Sequence, residues 1–479
     1  MSTITNYEKE VVNQAQLRRA TVEFINIVND LWYDKSIELV LFRNPLVDKR
    51  ASEVLNLIDY AKEFVSKPIT LQDALDIAKA IQSIELPASK LDIGKLAYEY
   101  HLSDEENLDK VDFVKNQLKD ATQANGIQPR DVVLYGFGRI GRLLARELSS
   151  KMGKGSQLRL RAIVTRGKID QTVLEKRASL LSVDSVHGDF LGTVQVDADN
   201  NALIINGTTV KMISASQPED IDYTEYGIND ALVIDNTGAF RDKEALSRHL
   251  VKGASKVLLT APGKGVPNIV HGVNHLENNP DNVDVFSAAS CTTNAITPVL
   301  KVLEDNFGIK KGHLETIHAY TNDQNLVDNM HNKYRRGRAA ALNMVITETG
   351  AGKAVSKALP ALEGKLTSSA IRVPVPNGSL AILNLQLNST VTVEAVNAIM
   401  KQYALEGDLV EQIKYSLSNE LVSSDIVGTT APSIFDSKAT ITDGNTIVIY
   451  VWYDNEYGYS HQVMRLAKHI AKVRRYTYY

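Results

Sequence analysis

The stretch Ser287-Ala288-Ala289-Ser290-Cys291-Thr292-Thr293-Asn294 holds the only cysteine of the chain. Ahead of it, Val283, Val285 and Phe286 alternate with polar residues as in a strand; behind it, Ile296, Val299, Leu300 and Leu303 recur at helical spacing. Cys291 is therefore expected at or just before a helix N-terminus, where free N–H groups and partial positive charge favour the thiolate, the reactive form. A lone cysteine is more often a small buried hydrophobe. Here Ser, Thr, Thr and Asn flank the sulfur instead of apolar neighbours, and His318 further along can serve as a base once the fold brings it near.

A second chemical element begins at Asp131. The short apolar run Val132-Val133-Leu134-Tyr135 leads directly into Gly136-Phe137-Gly138-Arg139-Ile140-Gly141, followed by the helical Leu143, Leu144, Ala145 and Leu148. Strand, glycines and helix in this order are what dinucleotide binding requires: a tight turn at the first glycine, backbone approach to a pyrophosphate at the second, close helix–strand packing at the third. A second strand, 158–164, ends at Thr165-Arg166 with no carboxylate to hold a ribose 2′-hydroxyl. Thr tolerates a 2′-phosphate there, and Arg can pair with one. Further strands are expected at 202–205, 231–235 and 256–260, the second ending in the polar turn Asp235-Asn236-Thr237-Gly238 and the third at Thr260, beside which a cofactor's ribose can lie.

Beyond the strand-like segment 314–319 that carries His318, the chain turns basic and polar through Asn332–Arg338 and Thr347–Lys353. The latter superficially resembles a P-loop, but Ala354 stands where Ser or Thr is needed and the first glycine is missing. What remains is a set of Thr, Gly and Arg residues, Arg372 among them, suited to holding phosphate.

The elements that must carry these groups fall into three stretches. Residues 1–127 read as an all-α extension with a net acidic balance. Leu17, Ala20, Phe24, Val28 and Leu31 form one apolar face, and Val54, Ile58, Ala61 and Val65 another before Pro68. Thr70 with Asp73 starts a third helix, and Ser103 with Glu106 reads as a capping box for a fourth. Residues 128–290 read as the dinucleotide-binding domain and 291–458 as a catalytic domain. With 479 residues, 44% hydrophobic and 23% charged, the chain fits a globular protein of two or three domains. No signal peptide or membrane span is evident, so a cytoplasmic protein without membrane attachment is expected. A net charge of −4 argues against a nucleic-acid surface.

Together Gly136–Gly141, Ser287–Asn294, His318-Ala319-Tyr320-Thr321-Asn322-Asp323-Gln324 and Trp452-Tyr453-Asp454-Asn455-Glu456-Tyr457-Gly458-Tyr459-Ser460 resemble the phosphorylating glyceraldehyde-3-phosphate dehydrogenases, from about Asp131 to the C-terminus. The resemblance implies an α/β fold: a Rossmann-type doubly wound cofactor domain, completed by a C-terminal helix over 459–479, and an α+β catalytic domain with a mixed sheet. It implies catalysis by Cys291 and His318, the latter lowering the thiol pKa and then acting as base, with NAD or NADP as cofactor and glyceraldehyde 3-phosphate and inorganic phosphate as substrates. One phosphate would be held by Thr321, Asp323 and Arg372, the other by Ser290, Thr292, Thr349, Gly350 and Arg336. Gly136, Gly138, Arg139, Ile140, Gly141, Thr165, Arg166, Thr237, Gly238 and Thr260 would line the cofactor, with Asn455 holding the nicotinamide carboxamide and Tyr459 packing nearby. No metal is implied. The resemblance further implies a homotetramer whose interface loop corresponds to 320–345.

The chain departs from NAD-specific members at Thr165, where they carry Asp, and at Asn329-Met330, where they carry Leu-Pro; both changes point toward NADP, alone or beside NAD. Ala295 replaces an additional cysteine common in the family. Two other functions remain open at this level: an erythrose-4-phosphate dehydrogenase, and a regulatory or binding protein built on this core.

Overall fold

The computed structural model of the chain describes residues 6–103, 108–123 and 126–479. The chain forms two compact units: 1–129 with 152–157 and 473–479, and 130–151 with 158–472.

The first unit is mainly helical, with Asn6–Lys35, Ala51–Tyr60, Leu71–Ser83, Ile93–Leu102 and Lys110–Gln117. Phe24, Val28 and Leu31 are buried, as are Val54, Ala61 and Val65, whereas Leu17 is exposed. Thr70 caps its helix by accepting from the Asp73 N–H, with the Asp73 carboxylate returning to the Thr70 N–H. The box expected from Ser103 and Glu106 reaches outside the described residues at Glu106; the helix Lys110–Gln117 is capped by Asp109, which accepts from Val111 and Asp112.

The expectation of an all-α extension needs one correction. A four-stranded sheet runs through this unit in the order Asn44–Pro45, Glu38–Leu41, Ser89–Asp92, Tyr476–Tyr478. None of these strands exceeds four residues, too few for a period-two pattern to declare itself. The last comes from the far end of the sequence and pairs in parallel with Ser89–Asp92. The chain beyond Lys472 therefore belongs to this unit and not, as expected, to a helix over 459–479; that helix spans Tyr457–Ile470.

The tail is held by side chains as well as by the ladder. Arg475 is buried, its guanidinium 4.5 Å over the Trp32 ring and 3.6 Å from Glu38. Gly153 lies against the same tryptophan, where a Cβ would come within 2.9 Å of the indole. The Tyr478 hydroxyl donates to Glu99.

In the second unit an eight-stranded sheet has the order Val285–Ser287, Ala254–Leu259, Ala231–Asp235, Arg130–Tyr135, Leu158–Thr165, Thr208–Ser214, Ala202–Ile205, Val194–Asp197. The first six are parallel to their neighbours and the last two pairings antiparallel. The strand order reverses beside Arg130–Tyr135, the switch point at which such sheets open a crevice at their carboxyl ends. A mixed sheet follows, ordered Val345–Thr347, Leu366–Val373, Ile309–Ala319, Ser379–Leu387, Thr446–Tyr453, Ser433–Asp436, Ile413–Ser416. Against it pack Leu300, Leu303, Val396 and Met400, all fully buried, from the helices Cys291–Phe307 and Val393–Leu405.

Candidate active site

At the switch point the three glycines have three different surroundings. Gly136 has φ +100°, and a Cβ there would meet Thr237 and the Asn236 backbone at 3.0–3.2 Å. Gly141 lies so close that a Cβ would stand 2.4 Å from the Gly136 carbonyl. Around Gly138 there is open space, and this residue begins the helix Arg139–Ser150 without a side-chain cap, leaving its first N–H groups for an anion. This is the concavity a pyrophosphate requires. Ile140 lies in the first turn of that helix.

The neighbouring strand tips complete the crevice. Thr165 ends Leu158–Thr165 and is buried, while Arg166 beside it is exposed. The Thr237 N–H and hydroxyl both donate to Asp235 Oδ1 at 2.7 Å, and the Thr260 hydroxyl donates to the Asp235 carbonyl at 3.0 Å, so the turn leading to Gly238 is fixed.

Cys291 is the first residue of the helix Cys291–Phe307, and Ser290 caps it by accepting from the Thr293 N–H. The sulfur stands 3.5 Å from His318 Nε2. His318 Nδ1 stands 2.7 Å from the Ala319 carbonyl, which only accepts, and 2.8 Å from Arg372 Nη1, which only donates, so the proton on the ring is set by which of the two it bonds. Register brings Arg372 alongside: it is paired with His318 across the parallel strands Ile309–Ala319 and Leu366–Val373. Its Nη1 donates to the same Ala319 carbonyl at 2.9 Å, while its buried Nε has no partner among the described residues.

Burial pushes the Cys291 thiol up, with the Arg372 charge opposing it. Burial, then Arg372, drives His318 down to about 3. Both groups therefore rest neutral. Arg372 is a cation beside the sulfur that favours its thiolate.

Asn455 is reached through a residue that sequence reasoning missed. The buried Ser379 hydroxyl donates to Asn455 Oδ1 at 2.8 Å and accepts from the Ala319 N–H at 3.1 Å, so one oxygen joins the base's segment to the Asn455 amide. Nothing around Ser379 in the sequence marks it; only the pairing of adjacent strands brings it there. Arg139 Nε donates to Glu456 at 3.0 Å and its Nη1 pairs with Asp184, tying the glycine turn to the Asn455 segment. Asp454, next to Asn455, is held by His187 at 3.2 Å and Asn377 at 2.9 Å. The Tyr459 hydroxyl donates to the carbonyl of Ala289, a non-glycine residue at φ +55° just ahead of the cysteine.

Asp323 pairs with Arg336, whose Nε donates to Thr347 at 2.9 Å, and the Asp323 and Arg336 charges both act on Arg372. Thr292 shares a hydrogen bond with the Tyr453 hydroxyl at 3.0 Å. Thr349 and Gly350 stand at the start of the helix Ala351–Ala358, the Thr349 hydroxyl accepting from the Ala351 N–H. Thr321 turns the chain through its carbonyl to the Gln324 N–H. Asn329 and Met330 are exposed. No group of residues suited to holding a metal ion occurs among the described residues.

Comparison with known proteins adds an independent line. Residues 130–243 match the family model described as glyceraldehyde 3-phosphate dehydrogenase, NAD binding domain, and residues 290–455 the one described as the C-terminal domain. A glyceraldehyde-3-phosphate dehydrogenase-like protein of Pseudomonas aeruginosa (strain UCBPP-PA14) is 47% identical over 456 residues, covering 94% of this chain and 98% of that protein. Glyceraldehyde-3-phosphate dehydrogenase 2 of Trichormus variabilis (strain ATCC 29413 / PCC 7937) is 43% identical over 343 residues, 71% of this chain and 98% of that protein. Glyceraldehyde-3-phosphate dehydrogenase 1 of Bacillus subtilis (strain 168) is 42% identical over 343 residues, again 71% and 98%. A match over 94% of this chain includes most of the first 129 residues, so the extension has a counterpart in the Pseudomonas protein.

Proposed function

The chain belongs to the glyceraldehyde-3-phosphate dehydrogenase family, and on that premise we propose that it oxidises glyceraldehyde 3-phosphate reversibly to 1,3-bisphosphoglycerate through a Cys291 thioester. The observation that carries this reading is the Cys291 sulfur 3.5 Å from His318 Nε2 at a helix N-terminus, with Arg372 beside both.

Starting from two neutral groups, His318 Nε2 takes the thiol proton as the sulfur adds to the aldehyde carbon, and returns it to the carbonyl oxygen to give the thiohemiacetal. The Cys291 N–H, at the helix start, is placed to stabilise the oxyanion that develops. His318 then removes the hydroxyl proton as hydride departs; the bound nicotinamide supplies the hydride acceptor. Inorganic phosphate attacks the resulting thioester and releases the thiolate. Arg372, with its free Nε, together with Thr321 and Asp323 lines one phosphate site, and Ser290, Thr292, Thr349, Gly350 and Arg336 the other. NADH formation from glyceraldehyde 3-phosphate that requires phosphate, and exceeds that from erythrose 4-phosphate, is the expected result; preference for the longer sugar would assign the second reading, and an inert core would return the chain to a binding role.

Asn455 holds the carboxamide with the orientation Ser379 gives it. Ser379→Ala leaves Asn455 Oδ1 and the Ala319 N–H unpaired, and a misplacement of the order of 1 Å at a reacting centre costs up to about 10²-fold. Steady-state kinetics should show kcat falling by about tenfold or more with a raised KM for the cofactor; unchanged values would remove Ser379 from the positioning scheme.

The cofactor reading rests on the strand tip that presents Thr165 and Arg166 and no carboxylate. NADP is accepted, alone or beside NAD. Thr165→Asp introduces a like charge beside a 2′-phosphate and should lower the NADP-to-NAD ratio of kcat/KM by about tenfold or more. A strong NAD preference in the unmodified protein would contradict this. The enzyme is proposed to be a cytoplasmic homotetramer; among the described residues no helix is long and apolar enough to cross a membrane.

A further inference from the structure

Two fully buried polar residues of the second unit take no part in the chemistry above: Asp235, at the end of the strand Ala231–Asp235, and His249, just beyond the short helix Lys243–Ser247. Asp235 Oδ1 accepts from the N–H and the hydroxyl of Thr237, both at 2.7 Å, and its Oδ2 stands 3.2 Å from His249 Nε2. An ionised carboxylate accepts and does not donate, so a proton on Nε2 makes this bond.

The imidazole has little else to do. Its ring packs edge-on against Tyr135 and Phe240, with centroids 4.6 and 5.2 Å away, and its buried Nδ1 has no hydrogen-bond partner among the described residues. Between two aromatic rings an apolar side chain would avoid the desolvation cost of an imidazole, so what sets histidine apart here is the Nε2 bond to Asp235.

That bond ends in the crevice. The Thr237 hydroxyl, while donating to Asp235, accepts from the Ala239 N–H at 3.1 Å, and the Asn236 N–H donates to the Tyr135 carbonyl at 2.8 Å. Thr237 also lies against the glycine turn, since a Cβ at Gly136 would meet its Cγ2 at 3.0 Å. Without the His249 donor, Oδ2 would be a buried oxygen with no partner. The carboxyl then rotates or takes up a proton, and either change weakens both bonds to Thr237.

We propose that His249 is a positioning residue for the dinucleotide: acting through Asp235, it sets the turn Thr237–Gly238 against the glycine turn and thereby the affinity for the cofactor. The inference rests on the reading of this crevice as the cofactor site.

The test is calorimetric titration of the full chain with NAD and with NADP, comparing three substitutions. His249→Gln carries an amide N–H where Nε2 stands and keeps the bond to Asp235; His249→Asn carries it where Nδ1 stands and cannot reach; His249→Leu has none. His249→Asn and His249→Leu should each raise Kd by about fivefold or more, with His249→Gln within about twofold of the unmodified protein. In steady-state assays the cofactor KM should follow Kd, while kcat at saturating cofactor changes far less. Equal affinities for the Gln and Asn variants would overturn the proposal, as would weakening that only tracks loss of folded protein in circular dichroism of the same samples. An unmodified protein that binds neither dinucleotide would overturn the cofactor reading itself, and the proposal with it, before any variant is compared.

Discussion

Cys291→Ser is expected to lower kcat/KM for aldehyde oxidation by about 10³-fold or more, since the nucleophile itself is removed. The site is built around a sulfur. A serine hydroxyl placed 3.5 Å from a neutral imidazole, with only a helix N-terminus and Arg372 nearby to favour its anion, remains protonated, and the ester it would form is a poor acyl donor to phosphate. His318→Gln separates the two roles. It leaves the thiol and removes the base, so the loss should be about 10²–10⁴-fold while Cys291 still accepts an alkylating reagent. Paired measurements of NADH formation and alkylated mass distinguish the variants; a Cys291→Ser enzyme within tenfold of the unmodified protein would exclude the covalent route.

Arg475→Ala should be the most damaging single change in the first unit. It removes a buried guanidinium that stacks on Trp32 and faces Glu38, another buried residue. Breaking a buried ion pair from one side costs about 3–5 kcal/mol where the remaining charge is stranded; Glu38 keeps Lys90 at 3.7 Å, which places this loss toward the lower end, and a desolvated cation–π contact adds about 2 kcal/mol. This is a large fraction of the stability of a domain of this size. Hydrogen exchange should show lost protection along Glu38–Leu41 and Ser89–Asp92, while the strand Ile309–Ala319 keeps its protection. Uniform exchange, indistinguishable from the unmodified protein, would mean that the tail adds little to the unit. Arg475→Lys, which keeps charge but not the planar stack, should fall between the two.

These two predictions draw on different degrees of legibility in the sequence. The catalytic half was largely readable because its signals are local. A cysteine between an apolar strand and an apolar helix, and a glycine-rich turn between strand and helix, declare themselves within ten residues, and Gly136 and Gly141 occupy positions with no room for a Cβ. What could not be read depends on register. Arg372 reaches His318 because two parallel strands align them, and Ser379 reaches both Ala319 and Asn455 because its strand lies between two others. The same holds for Asp323, whose pairing with Arg336 is set by the loop between them.

The extension shows the opposite balance. Its long helices announced themselves by apolar periodicity, but its sheet is made of short strands, one donated from more than 380 residues away in sequence. No local pattern at Tyr476–Tyr478 connects it with Ser89–Asp92. The buried charges Glu38 and Arg475 are intelligible only after that pairing exists, since neither would be placed in a core alone.

The most direct test of the Cys291 thioester is a single-turnover experiment with glyceraldehyde 3-phosphate and oxidised cofactor in the absence of phosphate. The account predicts a burst approaching one equivalent of reduced cofactor per active chain, a mass increase located by peptide mapping to Cys291, and release of that adduct when phosphate is added. Steady turnover without phosphate and without any adduct, or an adduct on another residue, would contradict it.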